Sequence, residues 1–354
     1  MAYTTIDDPS AHFQTALWTG DGATPTIAND GNSDMQPDWL WGKNRTGTAD
    51  LHYLIDTTRG TNKYVFSNST STEITNAAIS SINSDGFVLT TDVGLNRDGS
   101  TFVGWQWKAN GGTRTTYAES GNNPAGGYQV NTTAGFSIVD WTGTGATGTV
   151  AHGLGAVPHV IIVKCRNSAH DWAVYHHENT AAPETDFLVL NATGATTDQV
   201  QKWQDTAPTS TNITFGDGGG VNANNQTHIA YVFTEIQGYS KFGKYTGNGN
   251  DNGPFLYTGF KPAMFFRKRT DGANGWNIWD NKRAPFNEMH ASSAIHTDAV
   301  EDANTGYNDV DFLANGIKIH DTGDSHNGDG FTYVYWAWAE SPFVSSEGVP
   351  TTAR

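Results

Sequence analysis

Short apolar runs punctuated by Gly, Asn, Asp and Thr make up most of this chain. PDWLWGKNR, PHVIIVKCR and PAMFFRKR each open on a proline. That suits the start of a strand, because proline has no N–H to give to a ladder. LHYLID, DWAVYH and WNIWD follow after a polar turn, so each pair of runs predicts a hairpin. DGFVL, NITFG and NGIKI come next, then a Gly/Asn/Asp loop and a terminal aromatic run. In FVGWQW and YVYWAW large residues alternate, the period of a sheet with one buried face. Helical character is confined to TEITNAAISSI (72–82), which predicts a short helical turn. The pattern as a whole predicts an all-β fold of antiparallel β-sandwich or jelly-roll-like modules.

The runs recur in a fixed order. WTGDGAT at Trp18, WTGTGAT at Trp141 and YTGNGN at Tyr245 are versions of one phrase, each followed 17 to 19 residues later by Pro37, Pro158 or Pro262. Six residues beyond each proline stands Lys43, Lys164 or Lys268. Asn96, Asn222 and Asn327 each precede, by five residues, the threonine that begins the last aromatic run. Landmarks in one order at one spacing predict three copies of a module. The expected organisation is an arm (1–12), a first module (13–110), a Gly/Thr/Asn-rich connector (111–134), a second module (135–237), a third module (238–344) and a tail (345–354). Trp18 to Trp141 spans 123 residues and Trp141 to Tyr245 only 104, so the first module is expected on a longer tether. Each asparagine is expected to fasten a turn through its side chain.

Composition narrows the function. The net charge of −16 argues against a nucleic-acid backbone as partner, since phosphate binding draws on Lys and Arg clusters. The single cysteine, Cys165, permits no disulfide within the chain and reads as a small strand residue. MAYTTIDDPSAHF carries acids where a secretory leader needs a basic and apolar start, and no run reaches membrane-spanning length, so a soluble product made in a cytoplasm is expected.

Candidate chemistry is sparse. Asp56 with Arg59 is echoed by Asp280 with Arg283, and recurrence favours an ion pair that fixes a turn over a catalytic pair. The second module breaks this pattern with His176, His177 and Glu178. Adjacent histidines in a strand point to opposite faces, so no metal site is expected there, and no cofactor motif is present. The Asn/Asp-rich loops read as turn chemistry in place of calcium loops, which need acids at alternate positions and a closing glutamate. Trp203 lies outside the shared landmarks. With His176 and His177 it forms the candidate glycan-binding set, an indole platform beside the module that departs from the repeat.

The phrases TTIDDPSAHFQTALWTGDG, QPDWLWGKNR, DTTRGTNKYVFSN, SDGFVLTTD, WTGTGATGTVAHGLGAVPHVIIVKCRN, GYSKFGKYTGNGNDNGPFLYTGFKPA and PFVSSEGVPTTAR resemble virion structural proteins of aquatic tailed bacteriophages, often labelled tail fibre. The resemblance covers nearly the whole chain and implies a non-enzymatic particle component, made in the host cytoplasm and carried on the virion. The role it implies is a tail fibre or exposed appendage contacting host-surface glycans and other virion proteins. A capsid decoration or tail-collar protein without a receptor is the alternative, and a polysaccharide depolymerase a third class. Trimeric fibres gain avidity from repeated weak contacts, so a homotrimer is expected, with its aromatic side chains at subunit contacts.

Overall fold

The computed structural model describes residues 3–302 and 309–352, so the first two residues of the arm and the last two of the tail lie outside the described residues. The fold is all-β, built on three large antiparallel sheets that share one strand order: first, last, second, third and fourth. In the first module these strands are Phe13–Thr19, Thr101–Trp107, Trp39–Asn44, Tyr53–Asp56 and Lys63–Phe66. In the second they are Phe136–Thr142, Thr227–Phe233, Val160–Cys165, Ala173–His176 and Asp186–Val189. In the third they are Ser240–Thr246, Thr332–Pro342, Phe260–Arg269, Trp276–Asp280 and Ser293–Ala294. The expected hairpins are the second and third strands of each sheet. The third sheet differs in that Pro262 falls inside its strand, at a bulge, and does not open it.

A smaller sheet covers one face of each large one. Phe87–Leu89, Asn212–Phe215 and Gly316–His320 pair there with Thr26–Ile27, Gly148–Ala151 and Phe255–Tyr257. The opposite faces of the three large sheets meet each other. Trp39 stacks on Tyr231 at 4.0 Å between ring centroids, Trp107 and Phe233 each lie 5.3 Å from Trp338, and Trp41 lies 5.6 Å from Phe266. Alternation therefore sorts side chains between two buried layers, and the expectation of one buried face is corrected. Val103, Trp105 and Trp107 enter the shared core, whereas Phe102 packs under the small sheet of its own module. All 12 tryptophans end up buried, which leaves no indole for a surface platform.

The repeated phrase has a mechanical reason. Trp18 and Trp141 donate their indole N–H to the carbonyls of Leu95 and Val221, and the Tyr245 hydroxyl donates to that of His326. The next residue in each case is the landmark asparagine, wholly buried. Its side-chain oxygen accepts from the backbone of Asp21, Thr144 or Asn248, and its amide donates to Ala23, Ala146 or Asn250. The asparagine thus clasps the loop that follows the first strand. The first glycine of the phrase is obligatory, because a Cβ on Gly20, Gly143 or Gly247 would stand 2.2 Å from a carbonyl oxygen of the turn.

Other expectations need correction. The stretch 111–134 is no free connector: Gly126–Asn131 pairs with Phe136–Thr142 and extends the second sheet. Its buried Gln129 donates to the hydroxyls of Thr57 and Thr58, at 2.7 and 2.6 Å, tying the first two modules together. Residues 72–82 hold strands Ile74–Thr75 and Ile79–Ile82 in place of a helical turn, since Ile79 fills the core under the first small sheet. The arm is anchored as well, with Ile6 buried in the shared core and Thr4 donating to the Gln237 carbonyl.

The asparagine clasps differ in strength. Asn327 donates to Asn250, Asp321 and the Asn248 side chain as well as accepting from Asn248, whereas Asn222 has the 2.7 Å bond to Ala146 and longer ones to Thr144. Asn327→Ala is expected to destabilise the protein by about 2–3 kcal/mol and Asn222→Ala by less, because buried partners are orphaned. Urea unfolding midpoints check this; two variants within about 0.5 kcal/mol of wild type would remove the clasp role.

Candidate functional site

The geometry that recurs most closely lies at the seams between modules. At the start of each third strand, a side-chain nitrogen reaches the fourth strand of a neighbouring module. Trp172 donates to the Phe66 carbonyl, Trp276 to that of Val189, and His52 Nε2 lies 3.2 Å from that of Ala294. Four residues beyond each carbonyl comes the partner of a landmark lysine. Lys43 donates to the Asp298 carbonyl at 2.9 Å, Lys164 to Thr70 at 2.9 Å, and Lys268 to Thr193 at 3.3 Å. Three residues further on, the backbone N–H of Glu301, Glu73 and Thr196 donates to Arg45, Arg166 and Thr270. The first module grips the third, the second grips the first, and the third grips the second. The result is a closed head-to-tail ring, the contact pattern of a heterologous trimer held in one chain.

The lysines are fully buried and their nearest hydrogen-bond acceptors are backbone carbonyls. Burial pushes Lys43 and Lys164 down to about 8 and Lys268 down to about 7. The Asp–Arg pairs belong to the same seams. Arg59 donates to Asp56 at 2.5 Å, to the Leu54 carbonyl and to the Tyr231 hydroxyl of the second module. Arg283 repeats this with Asp280 and the Ile278 carbonyl, while Trp105 of the first module donates to Asp280. Glu73 then bridges Arg59 to Arg166, and Glu301 bridges Arg283 to Arg45. These carboxylates and guanidiniums are enclosed and mutually satisfied, as a structural pair requires.

His176 stands where Asp56 and Asp280 stand, and is wholly buried with Nε2 3.3 Å from the Tyr335 carbonyl. The matching indole of the third module, Trp336, has lost its acceptor: its N–H has no hydrogen-bond partner among the described residues. Asn179 replaces the arginine and leaves its own amide without one. His177 is half-buried, with Nε2 2.6 Å from the Phe242 carbonyl and its ring edge against His159. Trp203 is buried beneath Tyr175 and Phe215, its indole donating to the Asp186 carbonyl. The candidate glycan set is therefore corrected. Trp203 fills the second module's own core, His176 closes a seam, and the two are not offered to a ligand.

Two of the surface grooves among the described residues lie where modules meet. One of about 410 Å³ is lined by Gln14, Asp30, Asn281, Lys282 and Glu340. Its carboxylates are engaged, Asp30 by Lys282 at 2.7 Å and Glu340 by Lys261 at 3.0 Å and by Asn281. The other, about 690 Å³, is lined by hydroxyls and amides including Asn179, Thr180, Thr246 and Thr332, with Lys244 and Asp271. The sequence did not single out either groove, because each is assembled from residues far apart along the chain.

The broken seam gives one test. His176→Asp alone places an unpaired carboxylate beside Trp336, and Asn179→Arg alone buries an unpaired cation; each is expected to destabilise by about 2–4 kcal/mol. Together they recreate the pair found in the other modules, so a double-mutant cycle should show a favourable coupling of about 1–3 kcal/mol. Additive losses would show that the second module's seam is built differently.

Burial holds His52, His176 and His326 well below the usual histidine range. These side chains bind protons more readily unfolded than folded, so stability present above about pH 6.5 is lost as pH falls below it. The lysines act likewise in a higher window, and stability should rise from about pH 7 towards pH 10 as they are released from carrying a buried charge. Urea titrations at stepped pH check both limbs; a flat profile from pH 7 to 9 would contradict the lysine assignment.

Comparison with curated proteins and with solved structures finds no match. The model of a domain of unknown function, DUF7483, matches residues 8–342, which takes in all three large sheets and every seam. The chain belongs to the DUF7483 family.

Proposed function

We propose that this protein is a non-enzymatic structural component of a tailed-phage virion, an exposed appendage of the tail-fibre kind that contacts host-surface glycans. The observation that carries the non-enzymatic part is the use to which the chain puts its reactive groups. The buried lysines, the Asp–Arg pairs and their glutamate bridges join backbone and side chains across seams. The virion part rests on the resemblance described above. Its phrases QPDWLWGKNR and DTTRGTNKYVFSN contain Lys43, Asp56, Arg59 and a fourth strand, the parts that close the ring.

Burial of Trp203 and His176 favours a second reading, a decoration or collar protein without a receptor. The seams also bear on oligomeric state. The aromatic strands expected at subunit contacts are enclosed within one chain, so the argument for a homotrimer from those strands falls away. A monomer already presents three modules around one core. No helix among the described residues is long and apolar enough to cross a membrane.

Mass spectrometry of purified particles, with antibody labelling in the electron microscope, tests the reading. The chain is expected on the tail or an appendage, and labelling on the head would favour decoration. Its absence from particles would overturn both. Light scattering of the isolated protein should give a mass near 38.2 kDa, the monomer. A stable species of three times that mass would restore the trimer.

A further inference from the structure

The small sheet of the third module differs from the other two on its outer face. Leu256, Ile317, Ile319, Val310 and Phe312 point inward and are buried in the shared core. The alternate residues of the same strands face out: Phe255 and Tyr257 on one strand, Lys318 and His320 on the next, Asp311 and Leu313 on the third. Phe255 is 46% exposed and Tyr257 54%. The corresponding strand of the second module turns Thr149 and Ala151 outward, so the aromatic pair is peculiar to the third.

The two rings are also held in place. Gly316, directly across from Tyr257, has no side chain, and a Cβ there would lie 2.7 and 2.8 Å from Phe255 ring atoms. Phe255 therefore leans along the sheet over the glycine. The Tyr257 hydroxyl lies 3.3 Å from that of Tyr3, which itself donates to the Gly259 carbonyl. Lys318 is tied to the Asn252 side chain at 2.6 Å and to the Gly253 carbonyl, and His320 is tied to Asp311 at 2.9 Å.

We propose that Phe255 and Tyr257 form a stacking platform for the pyranose rings of a neutral glycan, with His320 at its edge to receive a hydroxyl. The proposal rests on the reading of the protein as a glycan-contacting appendage and gives that contact a place. Size and charge select the occupant. Two half-exposed rings present about 200 Å² of apolar surface. A stable protein interface takes about 800 Å² from each partner, so the platform suits a ligand of a few sugar rings. The two residues stand two positions apart on one strand, with their Cα atoms about 7 Å apart, a reach of one or two sugar units. A sugar presents C–H faces to such rings and hydroxyls to the flanking polar groups. The nearby cation is already held by the 252–253 loop, and the chain carries a net charge of −16, so an acidic glycan would be repelled.

The test uses the full chain on an array of neutral glucans, mannans and galactans alongside uronic-acid and sulfated polymers. Affinity electrophoresis against the best neutral hit follows. Wild type is expected to bind at least one neutral polymer, with Phe255→Ala and Tyr257→Ala each weakening it about tenfold or more. Phe255→Trp, which keeps a stacking face, and Val93→Ala, an exposed side chain of the first module, should retain binding. Thermal melting confirms that each variant folds. Binding to no neutral polymer, binding that survives the Phe255→Ala/Tyr257→Ala double substitution, or binding to acidic polymers alone would overturn the proposal. These results stay separate from the virion reading, because absence from particles would leave binding by the isolated protein untouched.

Discussion

A buried ammonium that can reach only backbone carbonyls sets the conditions for the rest of this structure. Removing a lysine from water costs several kcal/mol unless its hydrogen bonds are replaced. Lys43, Lys164 and Lys268 find part of that replacement within their own module and part in the loop of a neighbour. A module on its own would leave the ammonium under-coordinated and the facing carbonyls bare. Each module is roughly 100 residues, a length at which many domains fold alone. Here the seams make the ring the unit of stability, because every module completes the polar groups of the next.

The aromatic core follows from the same constraint. Once three large sheets are drawn together at their seams, their inner faces must fill the space between them, and only large side chains do so. Trp39, Trp107, Phe233 and Trp338 meet there, each from a strand that also faces its own small sheet. A sheet buried on both faces needs apolar residues at nearly every position, which is why Trp39–Asn44 and Val160–Cys165 are buried throughout. The indole N–H groups add direction. Where the neighbour supplies an acceptor, as Asp280 does for Trp105, the seam is polar and specific. Where it does not, as for Trp336, packing alone holds the ring.

Much of this was legible in the sequence, and what escaped it did so for physical reasons. Proline-led runs, hairpins and the clasping role of the asparagines are local, and the chain writes local structure into spacing. Trp203 was misread because its partners Tyr175 and Phe215 come from strands that only the fold brings together. The stretch 111–134 looks like a tether by composition. Gly126, however, lies against Asp140 and Trp141 so closely that a side chain would clash, which makes the glycine a packing residue. Phe255 and Tyr257 sit in an ordinary-looking FLY run, and nothing in that run tells which residues face out. Their orientation is set by Leu256, which enters the core between them.

A ring of near-equivalent modules has a consequence for function. Since the contacts that close it are spread over three seams, one seam can lose its ion pair without opening the others. The second module shows such a loss at His176, and the third carries aromatic residues on a face where its counterparts turn out Thr26, Val88, Thr149 and Ala151. Both departures lie where the ring tolerates them, one at a seam still held by Lys268 and Trp276, the other on the outer face of a small sheet. Three sheets of one strand order therefore supply the body, and departures from their shared pattern supply individual surfaces. Residues that obey the repeat hold the body together, and the exposed residues that break it are where a binding role has room to arise.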